Sequence, residues 1–198
     1  MLLLKNPVAL LSESYAVLYP EVSQALREMH IPYKLLKAKE IEEGKLKLFS
    51  ALIIPGGYTF KLLSSLTEKT ANEIRSFIIE GGGYIGICMG AYAASALKLC
   101  EAEALRRYGE GVVNIAISNP KHPIAEGFQE KIEMFYQNGP EIISKHNEEV
   151  IGKFQSGKAA ILATNLEDGK IVLFSPHPEK LKTTWKMLKN AVEFCVET

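Results

Sequence analysis

Long apolar runs are missing from this chain. No stretch approaches the roughly 18 to 20 residues that a membrane-spanning helix needs, so no membrane association is expected. Cysteine is scarce: three in 198 residues, with no Cys-x-x-Cys spacing, which argues against a disulfide framework or a structural zinc site. An excess of either charge is also missing. Lys plus Arg and Asp plus Glu stand at 23 each and no basic block occurs, so no nucleic-acid partner is expected. With 15 Gly, 9 Pro and 47% hydrophobic residues, the composition is globular rather than disordered. Met1-Leu2-Leu3-Leu4 is apolar, but Lys5-Asn6-Pro7 cuts it short, so no signal peptide is read and a cytoplasmic location is expected. No repeat or linker interrupts the chain, and residues 1–198 read as one domain.

What is present is a regular alternation. Residues 8–11, 33–36, 51–54 and 84–87 are short buried-type strands. Between them lie helix signals: Pro20 opens a segment with Val22, Ala25, Leu26 and Met29 on one face, and residues 62–80 form a helix with Thr67 as a plausible N-cap. Residues 89–99 follow as another helix. Such alternation predicts an α/β fold whose central, mostly parallel sheet is covered on both faces. The second half differs, with strands expected at 112–118, 131–136, 150–154, 159–163 and 170–174, some as antiparallel hairpins and the last returning to the main sheet. A helix over 181–196 closes the chain.

The chemistry centres on Gly86-Ile87-Cys88-Met89-Gly90, placed between the strand at 84–87 and the helix at 89–99. This is the cysteine form of the nucleophile elbow. Glycines two before and two after allow a sharp reversal and keep side chains off the sulfur. The thiol is then presented at the carboxyl edge of a sheet beside a helix N-terminus, where negative charge is favoured. Cys100 and Cys195 lack this context and are expected to pack inertly in helices.

His177 lies just past the strand at 170–174, in Ser175-Pro176-His177-Pro178-Glu179. Flanking prolines stiffen the loop, and Glu179, two residues on, can accept from one ring nitrogen while the other faces the thiol. His30, His122 and His146 read as solvated surface residues. Pro55-Gly56-Gly57 ends the strand at 51–54 at the same sheet edge. There the amide of Gly57, with that of Met89, is a candidate oxyanion hole. Gly56, Tyr92 and Tyr136 are candidate pocket residues, and Glu13 reads as a solvated loop acid rather than a modulator. Nothing in these motifs calls for a metal or an organic cofactor.

In that order, Pro55-Gly56-Gly57, Gly86-Ile87-Cys88-Met89-Gly90 and His177-Pro178-Glu179 resemble the class I glutamine amidotransferase-like superfamily. Residues 81–92 and Tyr136-Gln137-Asn138-Gly139-Pro140 look closer to one branch, the domain at the N-terminus of eukaryotic biotin–protein ligases and its free-standing relatives. The resemblance implies a flavodoxin-like three-layer sandwich, a Cys88–His177–Glu179 triad and an oxyanion hole from Gly57 and Met89. One position departs from the pattern. Glutaminases of the superfamily usually continue Cys-x-Gly-His-Gln, whereas here Ala91 and Tyr92 follow Gly90, which counts against free glutamine as substrate.

The expected activity is therefore a Cys–His–Glu amidase or acyl-transfer enzyme acting on a small amide or carbonyl compound. Released ammonia could pass to a synthase partner, and a homo-oligomer is also possible. Two rival readings stand beside it. One is a non-catalytic module that binds a metabolite or partner; the other is a DJ-1/PfpI-like stress protein, although Met89 replaces the His that often follows the cysteine there.

Overall fold

A computed structural model describes residues 5–145 and 148–197. His146 and the apolar start at residues 1–4 lie outside that description. The first half runs β1 (Val8–Leu11), α1 (Tyr19–Glu28), β2 (Tyr33–Leu36), α2 (Ala38–Glu42), β3 (Ala51–Ile54), α3 (Thr59–Ser65), α4 (Glu68–Ile79), β4 (Gly83–Ile87) and α5 (Met89–Ala96). The second half runs β5 (Glu103–Leu105), β6 (Glu110–Ile117), β7 (Lys131–Gln137), β8 (Glu141–Ile143), β9 (Glu149–Lys153), β10 (Ala159–Leu166), β11 (Gly169–Phe174) and α6 (Trp185–Val196).

The main path through the sheet is β2-β1-β3-β4-β11-β10-β9-β6-β7. β2, β1, β3, β4 and β11 are parallel, and from β10 outward each neighbour is antiparallel. Ala-Leu-Ile-type runs such as Val8–Leu11 and Ala51–Ile54 are buried at every position because helices cover both faces of that part of the sheet. Successive residues feed opposite layers: Val8, Leu10 and Ile53 pack with α1 and α6, while Ala9, Leu52 and Ile54 pack with α3, α4 and α5. The expected α/β sandwich, with a mostly parallel centre and antiparallel additions, is the observed fold. Among the described residues no helix is long and apolar enough to cross a membrane.

Three local expectations need correction. Residues 62–80 form two helices rather than one, because Leu66 and Thr67 are extended and the Thr67 hydroxyl accepts the Thr70 N–H at 3.0 Å, starting α4 anew. Cys100 sits in the bend after α5, not in a helix. His122 is buried rather than solvated: its Nδ1 accepts the Ile124 N–H at 3.2 Å and its ring lies 4.9 Å from that of Phe194.

Candidate active site

At the carboxyl end of β4 the chain reverses through Cys88, which takes the left-handed φ of 51°. An L-residue held there costs on the order of 1–3 kcal/mol and is retained only where its surroundings enforce it. They do so here. The Cys88 N–H donates to the Phe174 carbonyl at 2.8 Å, and its own carbonyl accepts from Ala91 and Tyr92 in the first turn of α5. Gly86 and Gly90 have no room for a side chain. A Cβ on Gly90 would lie 2.2 Å from the Ile54 carbonyl oxygen, and one on Gly86 would lie 2.6 Å from the Gly90 carbonyl. The Tyr84 hydroxyl locks the turn by donating to the Gly90 carbonyl at 2.8 Å. Met89 is the first residue of α5, so its N–H has no intrahelical acceptor.

The loop after β11 is anchored on three sides. The Ser175 N–H donates to Ala160 O, the His177 N–H to Phe135 O, and the Trp185 indole N–H to Glu179 O. This places the His177 Nδ1 2.8 Å from Glu179 Oε1, with both residues almost wholly buried at 0% and 2% exposure. Burial works against a charged ring. The Glu179 carboxylate and then Cys88 outweigh it, and the imidazole's pKa is pushed up to about 10. The other ring nitrogen, Nε2, is buried, and Cys88 is the neighbour that acts on the ring from that side.

Pro55-Gly56-Gly57 is wedged against the same imidazole. A Cβ on Gly56 would lie 2.7 Å from His177 Cε1, and one on Gly57 would lie 1.9 Å from the Tyr15 carbonyl oxygen. The strands thus bring Cys88, His177, Glu179, Met89 and Gly56–Gly57 to one edge of the parallel sheet. Tyr92, in the first turn of α5, is partly buried, and its hydroxyl points to the Asn138 carbonyl at 3.4 Å. Tyr136 is nearer the core than a pocket wall. It is buried, and its hydroxyl reaches the carbonyls of Gly139 at 2.7 Å and Arg107 at 3.0 Å, so its donor is spent on the backbone.

The turn at residues 137–140 contributes residues that were not singled out one by one from the sequence. The Cys88 thiol donates to the Gln137 carbonyl at 3.5 Å, and Asn138 is itself left-handed with a φ of 52°. Asn138 Oδ1 and the Gly109 carbonyl exchange hydrogen bonds with Gly109 N–H and Asn138 N–H. Gly139 packs so closely that a Cβ would lie 2.0 Å from the Ser175 carbonyl oxygen. The result is a cover over the sulfur, leaving Cys88 6% exposed. The signal for it was the Asn-Gly-Pro turn chemistry, which marks a turn but not what the turn lies over. Glu13 stands apart from this group, its carboxylate accepting the Ala38 N–H at 2.9 Å at the start of α2.

Comparison with known proteins bears on the fold. Residues 36–107 match the family described as "Biotin-protein ligase, N terminal". The imidazole glycerol phosphate synthase subunit HisH of Wolinella succinogenes is 27% identical over 177 residues, spanning 78% of this chain and 85% of that protein. Among solved structures, PurLQS from Thermotoga maritima superimposes with a TM-score of 0.79 at 18% identity, covering 96% of this chain and 99% of that one. A glutamine amidotransferase, also from Thermotoga maritima, gives a TM-score of 0.73 at 14% identity, with coverage of 98% and 99%. The chain therefore has the class I glutamine amidotransferase-like fold, with a biotin–protein ligase N-terminal-like segment that contains the elbow.

Proposed function

We propose that this protein is a single-domain cysteine-nucleophile amidase or amidotransferase with Cys88, His177 and Glu179 as its triad. The observation that carries the reading is the state of the imidazole. One nitrogen is spent on Glu179 and the other is buried beside a cysteine in a left-handed elbow. In this mechanism the thiol proton is held at His177 Nε2, whose pKa is raised, and the sulfur attacks the amide carbonyl carbon. The Gly57 and Met89 N–H groups receive the oxygen as it becomes negative. The C–N bond then breaks, His177 returns the proton to the leaving amine, and a thioester remains on Cys88. Water, giving its proton to Nε2, attacks the thioester carbon and releases the acid and the thiol. Glu179 holds the ring in register and supports its charge throughout.

HisH is by its name a subunit of a synthase. By analogy, ammonia released here would pass to a synthase partner. Tyr92 stands where superfamily glutaminases have Gln, which favours an amide other than free glutamine. A panel of small amides assayed with wild type and Cys88→Ala tests the proposal. Hydrolysis by the wild type that is lost in the variant supports it; equal rates in both overturn it.

A second reading is favoured by the cover over the sulfur. A thiol 6% exposed and hydrogen-bonded to Gln137 suits a module that binds without turnover. That reading predicts saturable binding of an amide by wild type and Cys88→Ala alike, with no product in either.

A further inference from the structure

The antiparallel part of the sheet holds a cavity of about 370 Å3 between β6, β9 and the chain that leads into β6. Arg107, Lys131 and Lys153 line it, together with Asn114 and Gln155, and no carboxylate is among its lining residues. The register explains the arrangement. Ala116 of β6 pairs with Lys131 on one side and Lys153 on the other, so two lysines flank a small residue on one face of three adjacent strands. Among the described residues neither lysine makes an ion pair. Glu133, opposite Asn114 on β7, is a carboxylate on this face, and it stands outside the wall.

Arg107 is the fixed point. Its guanidinium lies 4.1 Å from the Phe154 ring centre and 4.7 Å from that of Tyr136, so the planar cation is held before any ligand arrives. Its carboxylate neighbour Glu141 is 4.0 Å from Nε and already accepts from the Ser156 hydroxyl at 2.9 Å. Arg107 Nη1 is buried against the protein, while the side chain as a whole keeps 30% of its surface exposed and lines the cavity. A held guanidinium fork matches the oxygens of a phosphate.

We propose that this cavity binds a small molecule through a phosphate group, with Arg107 gripping the oxygens and Lys131 and Lys153 neutralising them. Three cations call for more than one negative charge, which a phosphate monoester carries near neutral pH. The volume is at the small end of metabolite pockets, with room for more than a bare ion. The proposal stands whether or not the elbow is catalytic.

Calorimetric titration of the full chain with ribose 5-phosphate, inorganic phosphate and succinate tests it. Ribose 5-phosphate is expected to bind the wild type and to weaken by about tenfold or more in Lys131→Gln/Lys153→Gln, while Glu133→Gln tightens it. Both lysines are exposed, so these variants are expected to keep the fold, and the urea midpoint checks that they do. Inorganic phosphate binding as tightly as the ester would identify free phosphate as the ligand. Tighter binding of succinate, no change in the double lysine variant, or no saturable binding up to about 10 mM would overturn the proposal.

Discussion

The two ends of β4 each carry a buried cysteine, and the two differ in nearly everything that governs reactivity. At the amino end Cys195 of α6 packs on Gly83, where a Cβ would lie 2.6 Å from Cys195 Cβ. Its thiol donates to the carbonyls of Lys170 at 3.6 Å and Tyr84 at 3.7 Å, and burial pushes its pKa up to about 12. Cys88, at the carboxyl end, is equally short of solvent but sits in a left-handed turn beside a helix N-terminus and an imidazole. Burial alone therefore says little about a cysteine. What separates the two is their company: Cys195 meets backbone carbonyls, whereas Cys88 stands beside an imidazole and a helix N-terminus.

The largest effect expected from this contrast is chemical. At neutral pH iodoacetamide should modify Cys88 at least about 100-fold faster than Cys195 in the folded protein, read by peptide mapping over time. Equal rates would erase the distinction. Next comes the charge network. His177→Asn removes the partner of a buried carboxylate and should cost on the order of 3–5 kcal/mol. That cost depends on pH. An imidazole whose pKa rises on folding contributes stability that is full below its ordinary value near 6.5 and is lost as the pH climbs through about 10. The gap in urea midpoint between wild type and variant should thus be widest near pH 6 and narrow towards pH 10.

Smaller still are paired glycine substitutions at the two ends. Gly90→Ala and Gly83→Ala each drive a methyl into backbone atoms and should lower stability by about 1–3 kcal/mol. If the elbow is the active site, only Gly90→Ala should also depress hydrolysis per folded molecule. Cys195→Ala should be mildest, near 1 kcal/mol by thermal or urea denaturation, with amide turnover and Cys88 alkylation unchanged.

Much of the frame was legible beforehand because its signals are local. β1, β2 and β3 begin and end where short apolar runs meet Pro, Gly or polar residues, and Gly81 and Gly82 stop α4. The five longer strands of the second half were visible for the same reason. β5 and β8 were not, since three residues carry no period, and Glu103–Leu105 is a strand only because Glu141–Ile143 pairs with it. Glu13 at the start of α2 and His122 under Phe194 depend on partners far along the chain, which spacing cannot reveal. The grouping of Cys88, His177 and Gly56 was readable because parallel strands deliver their carboxyl ends to one edge. The cover at 137–140 was not, because it comes from the antiparallel wing and meets the elbow only in three dimensions.

That cover sets a population problem. A ligand reaching the sulfur has to part the Gln137 carbonyl from the thiol and separate Asn138 from Tyr92. Apparent affinity is the intrinsic affinity scaled by the fraction of molecules already open. Were that fraction about 1%, binding would weaken about 100-fold although no contact to the ligand had changed. Whatever draws the 137–140 turn aside, a substrate or a docked neighbour, would then act as an activator without touching the triad.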